Sequence, residues 1–433
     1  MSIVAPRSVA AALRAVTRAD RVADEPAALD AFAIDGVVPR WIARPASVDE
    51  LAAIMTIAAE EKLAVAPRGA GSVLDLGAPP TRLDLVVDLG AFDAIVEYNA
   101  DDLTVTVQAG CSLHALNRHL KLHRQFLPLD PPGDAHSVGG VAAAALSGPL
   151  RFRYGTMRDL LLGVRFVQAD GVPTWGGSKV VKSVTGYDVP KLMVGALGTL
   201  GVLAELTLRL HALPEAEGTW FVTLPSAGAA QALVSAILDS TLQPNRLELM
   251  DEAALRAASM PASPLALLAS FGSVAEAVAE QGERLTRLAR DAGGEARGVT
   301  GEWTTTTERT PHRTTLRVGS LPGRLAATFD TLRGALARLG AVSTLAAHAG
   351  LGLWRVTIDG AAPDAIASLV TRLREAVAEH DGYVVVTGGP ADVRRRVNPW
   401  GPIPPGALAL MRAVKTTFDP DGRLNTGRFV NGL

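Results

Sequence analysis

The stretch Leu63–Ser72, LAVAPRGAGS, joins a short apolar run to a glycine-rich turn. The apolar run predicts a buried strand that ends near Pro67, and the loop Arg68–Ser72 follows it directly. Glycines let successive backbone N–H groups turn into one concavity, where they can hold an anion. Upstream, Ser47 and Glu50 have the spacing of a capping box, which predicts the start of a helix. The order of helix, strand and loop therefore predicts an anion site at the end of the strand.

Two further glycine-rich segments lie in the first half of the chain, Pro132–Gly140 (PGDAHSVGG) and Gly195–Gly201 (GALGTLG). The pair Gly139-Gly140 precedes an alanine-rich run that predicts a helix from Val141, and a helix N-terminus favours phosphate. Each segment alone is typical of a turn, whereas three in one domain favour a large phosphorylated cofactor. None reads G-x-G-x-x-G with an acidic residue about 20 positions on, and there is no Walker A sequence. The pattern therefore disfavours a Rossmann dinucleotide site and triphosphate hydrolysis.

Composition narrows the class of protein. The 433 residues predict two or three domains, and 48% hydrophobic with 20% charged residues is typical of a globular chain. A net charge of -2 disfavours nucleic-acid binding. The single cysteine, Cys111, excludes an internal disulfide and an ordinary four-thiolate iron–sulfur cluster, and its context predicts a small buried side chain. Without a secretory h-region or an apolar run of about 20 residues, a cytoplasmic protein is expected.

The second half of the chain has a different pattern. Residues of about 215–390 alternate amphipathic helices with short strands, which indicates a separate α+β domain. Before it, LLLGVRFVQADGVPTWGG predicts a hairpin that turns at Ala169–Gly171. After it, a proline-punctuated tail contains one predicted helix near Ala407–Thr416.

Several of these segments, in this order, resemble the flavin domain of the vanillyl-alcohol oxidase superfamily: APRGAGSVLDLG (66–77), DPPGDAHSVGGVAAAALSGPLRFRYG (130–155), VVKSVTGYDVPKLMVGALGTLGVLAEL (180–206) and FDPDGRLNTGRF (418–429). The resemblance implies an α+β fold. It comprises a two-subdomain PCMH-type FAD-binding domain (31–213) after an N-terminal extension (1–30), a smaller α+β cap domain (214–395), and a C-terminal segment (396–433) that packs back on the FAD domain.

The same resemblance implies a set of residues around FAD: Arg68, Gly69, Ala70, Gly71, Ser72, Pro132, Gly133, Ser137, Val138, Gly139, Gly140, Ser147, Gly148, Tyr154, Gly155, Val202 and Asn425. Relatives usually have glycine at Ala70; because the alanine methyl is small, we expect the anion-binding loop to be preserved if φ there is negative. Covalently flavinylated relatives carry histidine at the place of Ser72, so non-covalent FAD is expected. Lys182 and Arg428 could stabilise an anionic reduced flavin, or they could have ordinary surface or ion-pair roles.

The stretch His348–Arg355, HAGLGLWR, resembles the H-x-G-D-G-N-x-H strand of metal-dependent 2-hydroxyacid dehydrogenases in this superfamily. Here Leu351, Leu353 and Arg355 replace the aspartate, the asparagine and the second histidine. A guanidinium repels a cation, and VVVTGGPADVRRR (384–396) has no histidine or glutamate to complete a site. We therefore predict a strand from a disabled metal site, no bound metal, and a solvent-facing or partner-facing patch at Arg394–Arg396.

The tail VNPWGPIPPGALALMRAVKTTFDPDGRLNTGRFV (397–430) is similar to that of the FAD-binding E subunits of bacterial glycolate oxidases. This resemblance implies a subunit of a multi-subunit glycolate (2-hydroxyacid) dehydrogenase that forms glyoxylate. A homologous flavoprotein partner would hold the metal, and an iron–sulfur subunit would carry electrons onward, with only peripheral contact to the membrane.

Two alternatives remain open. One is a stand-alone FAD oxidoreductase for another alcohol or hydroxyacid, with Arg355 pairing with a substrate carboxylate. The other is a flavin-free scaffold that holds a complex together. No catalytic residue is assigned from the sequence.

Overall fold

The computed structural model describes residues 8–179, 186–300, 310 and 312–433. Its first sheet has the order β1-β2-β4-β3, with β2, β3 and β4 parallel. The strands are β1 (Val22–Ala23), β2 (Trp41–Ala43), β3 (Val65–Arg68) and β4 (Leu85–Asp88). Its helices are α1 (Val9–Val16), α2 (Pro26–Asp30) and α3 (Val48–Glu60). The glycine-rich loop therefore begins where β3 ends.

The beginning of the described chain belongs to this first sheet and its core. Leu13 of α1 and Val22 of β1 are buried in the same core as Val65 of β3, and β1 pairs with β2. Residues 8–30 of the predicted N-terminal extension therefore pack as part of the first lobe, by which we mean the first two sheets and their helices.

The second sheet is antiparallel, with the order β5-β6-β10-β8-β9, and β7 and β11 form a separate pair. The strands are β5 (Ile95–Asn99), β6 (Thr104–Gln108), β7 (Gln125–Phe126), β8 (Leu161–Val167), β9 (Pro173–Gly177), β10 (Val202–Arg209) and β11 (His211–Ala212). The helices are α4 (Leu113–Lys121), α5 (Val138–Ala144), α6 (Arg151–Tyr154), α7 (Met157–Leu160) and α8 (Val189–Met193). The predicted hairpin is confirmed: β8 and β9 pair around Gly171, which has φ 92°.

The second lobe is built on an eight-stranded antiparallel sheet with the order β15-β12-β14-β13-β17-β18-β16-β19. The strands are β12 (Ala216–Thr223), β13 (Arg246–Asp251), β14 (Leu265–Ser273), β15 (Glu295–Val299), β16 (Thr314–Gly319), β17 (Val342–His348), β18 (Leu353–Asp359) and β19 (Tyr383–Gly388). The helices are α9 (Ala227–Leu238), α10 (Glu252–Ala257), α11 (Ala275–Asp291), α12 (Leu325–Ala337), α13 (Pro363–Ala378) and α14 (Ala391–Arg396). This lobe has a hydrophobic core of its own.

Alternation along the strands gives this sheet two different faces. Leu316 and Val318 of β16, with Trp354 and Val356 of β18, are buried in the core under the helices. The intervening side chains point to the other face, toward the first lobe.

The HAGLGLWR stretch is a hairpin connection and not one strand, which corrects the sequence reading. His348 ends β17, Ala349–Leu351 forms a 3-10 turn, and β18 begins at Leu353. His348 and Leu353 are paired across the hairpin, and Gly352 has φ 65°, a conformation that glycine adopts without strain. Other 3-10 turns are Ala19–Arg21, Pro322–Arg324 and Val430–Gly432.

The C-terminal segment returns to the first lobe. After α15 (Pro405–Phe418), Leu424 bridges to Val65 of β3, and the Asn425 amide donates to the Val65 carbonyl at 2.8 Å. Leu424 is buried in the core of the first lobe. No helix in the ranges that the structure describes is both long and apolar enough to span a membrane.

The prediction that Arg394–Arg396 faces solvent or a partner is wrong for Arg394. Arg394 is 2% exposed, forms an ion pair with Asp35, and donates to the Gly77 carbonyl at 2.9 Å. Arg396 is exposed and pairs with Asp364. Arg394 is buried because α14 presents it to the first lobe, where a carboxylate and backbone carbonyls satisfy its guanidinium.

Candidate functional site

A cavity with about 710 Å³ of empty space, part of it open to solvent, lies where three glycine-rich segments and the C-terminal segment meet. Its lining comprises Pro67, Arg68, Gly69, Ala70, Gly71, Ser72, Val73, Leu74, Leu89, Ala109, Ser137, Gly139, Gly140, Ala143, Ala144, Leu197, Gly198, Gly201, Leu203, Asn425 and Arg428. Most of these residues are small or apolar, which suits a large ring system held by backbone groups. We call this space the first cavity.

The loop after β3 forms one wall of this cavity. The φ angle is positive at Gly71, 73°, but not at Ala70, which meets the condition stated for an alanine in this loop. Ser137 Oγ accepts hydrogen bonds from the Ala70 amide at 3.4 Å and the Gly140 amide at 3.2 Å. A Cβ on Gly69 would stand 2.2 Å from Ser137 Oγ, so only glycine lets the loop approach. One hydroxyl thus joins the loop to α5.

Helix α5 starts earlier than predicted. Ser137 is its N-cap, so Gly139 and Gly140 lie in its first turn and not before it. A Cβ on Gly139 would lie 2.6 Å from the Cβ of Ala109, so this glycine permits close packing of the helix against the neighbouring loop. The glycine pair lets the start of the helix line the cavity.

The C-terminal segment adds polar groups to the lining of this cavity. Asn425 Nδ2 donates to the Leu197 carbonyl at 2.6 Å. Arg428 is 3% exposed and donates to the carbonyls of Leu74 at 2.6 Å and Leu76 at 3.0 Å. Burial lowers the pKa of Arg428 to about 10, so it remains a cation at neutral pH. A surface role for Arg428 is therefore wrong.

These features fit FAD. The buried Nε of Arg428 has no hydrogen-bond partner among the described residues, and the backbone amides of the loop Arg68–Ser72 suit a diphosphate. FAD, when bound, accepts a hydride equivalent and becomes more negative. A buried cation at the cavity wall would stabilise that charge.

The structure brings nine of the seventeen residues implied for FAD into the first cavity: Arg68, Gly69, Ala70, Gly71, Ser72, Ser137, Gly139, Gly140 and Asn425. Pro132, Ser147 and Gly148 line a neighbouring cavity. Val138 of α5 and Val202 of β10 are buried next to residues that line the first cavity. Gly133 lies beside the His136 ring. Tyr154, which precedes Gly155, packs on the rings of Phe126 and His211. Their contacts with FAD stay predictions. Lys182 lies outside the described residues.

Sequence reasoning missed His136, which is 4% exposed. Its Nδ1 lies 2.7 Å from Ser72 Oγ and its Nε2 lies 2.7 Å from the Pro132 carbonyl oxygen. The ring therefore holds two loops of the site together. Its place inside a glycine-rich segment was the available signal.

The neighbouring space, which we call the second cavity, has about 870 Å³ of empty space, part of it open to solvent, and lies between the two lobes. Its lining is Leu76, Pro132, His136, Ala144, Ala145, Leu146, Ser147, Gly148, Arg151, Glu248, Thr315, Leu316, Arg317, Ala346, His348, Leu353, Trp354, Arg355 and Thr387. Ala144 lines both cavities, so a molecule in the second cavity would lie beside the cofactor space.

Polar groups of the second lobe enter this cavity from one face of its sheet. Glu248 of β13 is 2% exposed, and its Oε1 lies 2.5 Å from Nδ1 of His348. Nearby, Asp130 of the first lobe lies 3.4 Å from Nε of Arg246, and burial raises the pKa of Asp130 to about 6 although Arg246 opposes the shift. The histidine of HAGLGLWR is thus held by a carboxylate.

Metal ligation does not fit this cavity. Within the part of the chain that the structure describes, no group of three or more His, Cys, Asp and Glu side chains could hold a metal ion. Leu353 and Arg355 line the cavity. They stand at the positions of the asparagine and the second histidine in the stretch H-x-G-D-G-N-x-H of the metal-dependent dehydrogenases.

Comparison with protein families decides the assignment. Residues 39–176 match the FAD binding domain family, and residues 213–389 and 395–429 match the C-terminal domain of the FAD linked oxidases. The chain carries both of these domains. The two matches confirm FAD as the cofactor and place the chain in a class of FAD-dependent oxidoreductases.

Three curated relatives are informative. The chain is 34% identical to glycolate oxidase subunit GlcD of Bacillus subtilis over 50% of this chain and 47% of that protein. It is 34% identical to glycolate oxidase subunit GlcE of Escherichia coli over 43% of this chain and 52% of that protein. It is 28% identical to D-2-hydroxyglutarate dehydrogenase of Xanthomonas citri over 94% of both chains. Two mitochondrial D-lactate dehydrogenases, of Arabidopsis thaliana and Danio rerio, and GlcD are matched over 39%, 53% and 47% of their length, so the chain spans about half the length of these relatives.

The fold is shared with a solved enzyme structure. The structure of p-cresol methylhydroxylase with substrate bound matches with a TM-score of 0.76 over 97% of this chain and 96% of that chain, at 15% identity. This likeness confirms the PCMH-type fold predicted from the sequence.

Proposed function

We propose that this chain is the FAD-binding subunit of a multi-subunit 2-hydroxyacid dehydrogenase of the glycolate type, which oxidises glycolate to glyoxylate. One observation carries the proposal: a cavity suited to FAD adjoins a second cavity that has no metal-ligating cluster among its described residues. Such a chain can hold the cofactor, but it cannot perform the metal-assisted step of the dehydrogenases that its His348–Arg355 stretch resembles.

The partners follow from what this chain does not supply. A homologous flavoprotein with an intact metal motif would bind and oxidise the hydroxyacid, and an iron–sulfur subunit would carry the electrons onward. With one cysteine, this chain cannot hold an ordinary cluster. The names of two relatives, glycolate oxidase subunits GlcD and GlcE, support a complex of this kind. Contact with the inner face of a membrane would then come through these partners.

FAD would be held non-covalently by the residues implied from the sequence, with the loop Arg68–Ser72 and the start of α5 at its phosphates. The Ser72 hydroxyl stands where covalently flavinylated relatives have histidine, and it is hydrogen-bonded to His136. Asn425 and Arg428 would lie near the isoalloxazine ring, where the Arg428 cation stabilises the reduced form.

Co-expression of the chain with a metal-motif flavoprotein and an iron–sulfur protein encoded beside it tests this proposal. We expect the three to purify as one complex, with FAD released from this chain by denaturation without proteolysis. Glycolate-dependent dye reduction should require all three. A complex that keeps full activity when this chain is omitted would contradict the proposal.

A second candidate is a stand-alone FAD oxidoreductase for another hydroxyacid. The arginines that line the second cavity favour it, because guanidinium groups bind carboxylates without a metal. The isolated chain would then reduce its own flavin with a suitable hydroxyacid.

A further inference from the structure

One buried arginine of the second lobe binds groups of both lobes. Within the second lobe, Nε of Arg394 donates to the Gly389 carbonyl at 2.9 Å. Toward the first lobe, its Nη1 donates to Asp35 Oδ2 at 3.0 Å and to the Gly77 carbonyl at 2.9 Å, and its Nη2 donates to Asp35 Oδ1. Because a guanidinium is planar and rigid, these bonds fix the positions of the carboxylate and the carbonyl relative to the second lobe.

The segment Leu74–Gly77, which we call the bridging segment, contacts the second lobe at a further point. The Gly389 amide donates to Asp75 Oδ2 at 3.0 Å. Leu74 lines the first cavity, and Leu76 lines the second. The bridging segment therefore passes from one cavity to the other, and the second lobe holds it at Asp75 and at Gly77.

The bridging segment in turn holds Arg428. Nη2 of Arg428 donates to the carbonyls of Leu74 at 2.6 Å and Leu76 at 3.0 Å. A Cβ on Gly77 would lie 2.4 Å from the carbonyl oxygen of Arg428, so the two backbones approach closely. Two guanidiniums thus bind the carbonyls of one short segment, that of Arg428 at its start and that of Arg394 at its end.

These contacts decide how Arg428 is presented to the first cavity. Its Nε is buried and has no hydrogen-bond partner in the part of the chain that the structure describes. Since the guanidinium is planar, holding Nη2 between two carbonyls also restricts the direction in which the Nε–H bond points. A shift of the bridging segment would therefore turn this donor and move the positive charge at the cavity wall.

The charges around Arg428 are coupled as well. Burial lowers the pKa of Arg428 to about 10, while the charge of Asp35 raises it, that of Arg394 lowers it and that of Asp75 raises it. Arg394 also neutralises Asp35 through their ion pair. Its removal would leave an unpaired carboxylate in the surroundings of Arg428, which disfavours added negative charge on a flavin nearby.

We infer that Arg394 is a positioning residue for the flavin site: by fixing the bridging segment from the second lobe, it orients Arg428 at the wall of the first cavity and makes the bound flavin easier to reduce. The docking of the second lobe is thereby coupled to the reduction of a cofactor that the first lobe holds. The inference rests on the proposed placement of Arg428 near the isoalloxazine ring.

The midpoint potential of the flavin in the purified FAD-loaded chain, measured by spectroelectrochemical titration, tests this inference. Arg394→Met should lower the equilibrium constant for flavin reduction at least about tenfold, which is about 30 mV for a two-electron couple. Arg394→Lys keeps the charge but not the planar fork, so it should lower the constant less. Arg396→Met is the matched control, because it removes an exposed arginine from the same helix and should leave the potential unchanged.

A double-mutant cycle separates positioning from a direct effect of charge. Arg428→Met alone should lower the potential, because it removes the cation that stabilises reduced flavin. If Arg394 acts through Arg428, then Arg394→Met should cause little further change in the Arg428→Met background. A direct effect of the Arg394 charge on the flavin would instead persist in that background.

Wild-type potential in folded Arg394→Met, or an equal shift with and without Arg428, would overturn the inference. A flavin spectrum and thermal unfolding curve like those of the wild type establish that each variant is folded. If Arg394→Met does not fold, Arg394→Lys takes its place in the cycle, and its shift should likewise disappear with Arg428→Met.

The same cycle separates failure of this inference from failure of the proposed flavin site. Wild-type potential in Arg428→Met would contradict the placement of Arg428 near the isoalloxazine ring, and the inference would fail with it. A shift in Arg428→Met without one in Arg394→Met would overturn the inference alone. All potentials are measured on the isolated chain, so none of these results depends on the proposed partner subunits.

Discussion

Lys415 and Asp419 form a buried ion pair beside the first cavity, with 2.6 Å between Nζ and Oδ2. Lys415 Nζ also donates to the carbonyls of Thr199 at 2.8 Å and Leu424 at 3.1 Å. Thr199 follows the cavity residue Gly198, and Leu424 precedes Asn425. The ammonium group therefore fixes two walls of the flavin space relative to each other.

Replacing Lys415 with methionine should loosen these walls. The change leaves the Asp419 carboxylate buried without its cation, so we expect the free energy of unfolding to fall by about 3–5 kcal/mol. Affinity for FAD, measured by fluorescence titration of the apoprotein, should fall with it. Lys191→Met is the control, because its pair with Asp188 is exposed and exposed pairs contribute about 0–1 kcal/mol. Equal effects of the two variants would contradict the bracing role.

Arg394 and Arg396 provide a test inside one run of arginines. Arg394→Met removes a buried cation that joins α14 to Asp35 of the first lobe, so it should cost about 3–5 kcal/mol in the free energy of unfolding. Arg396→Met breaks only the exposed pair with Asp364 and should cost about 1 kcal/mol or less. Chemical denaturation of both variants measures the difference. Similar unfolding midpoints would mean that the burial of Arg394 does not stabilise the lobe contact.

These two arginines also show where sequence reasoning stops. Arg394 was predicted to face solvent or a partner protein, because the adjacent sequence does not indicate a carboxylate that pairs with it. Its carboxylate, that of Asp35, lies 359 positions away along the chain. Burial of a charged side chain depends on such long-range contacts, and local patterns in a single sequence do not predict them.

Elements that depend on local sequence patterns were predicted more accurately. The hairpin at Gly171 and the helix at Pro405–Phe418 follow from turn residues and apolar periodicity, and both were predicted. The glycine-rich segments predicted a large phosphorylated cofactor, and the resemblance to the vanillyl-alcohol oxidase superfamily implied the fold and FAD. The early start of α5 was missed because its N-cap, Ser137, lies among turn residues. Arg317 was missed as well, since an arginine in an ordinary strand gives no sign of the pocket it faces.

Gly71 should not tolerate a side chain. Its φ of 73° is the left-handed conformation, which costs a non-glycine residue roughly 1–2 kcal/mol. Gly71→Ala should therefore distort the loop and weaken FAD binding, measured as flavin retained after gel filtration. Gly334→Ala, in the middle of α12 with no atom within 4 Å of a new Cβ, should instead stabilise the chain by about 0.5–1 kcal/mol. Full flavin retention by Gly71→Ala would show that this turn does not hold the cofactor.

Cys111 should be unreactive in the native chain. Burial, and to a lesser extent the charge of Asp93, raises the pKa of its thiol to about 11, above the ordinary 9.0. The fold therefore favours the neutral thiol, so this group's contribution to stability is present below pH 9 and is lost as the pH rises toward 11. We expect iodoacetamide at pH 8 to modify Cys111 only after unfolding, as followed by mass spectrometry. Rapid modification of the folded chain would contradict this environment.

The central claim is that this chain holds FAD but depends on a partner for glycolate oxidation. The most direct test is the visible absorbance of the purified FAD-loaded chain during anaerobic addition of glycolate, with dithionite added last to prove that the flavin can be reduced. We predict an unchanged oxidised flavin spectrum until the metal-motif flavoprotein is supplied. Rapid bleaching by glycolate in the isolated chain would contradict the claim, because the second cavity would then perform the oxidation without a metal or a partner.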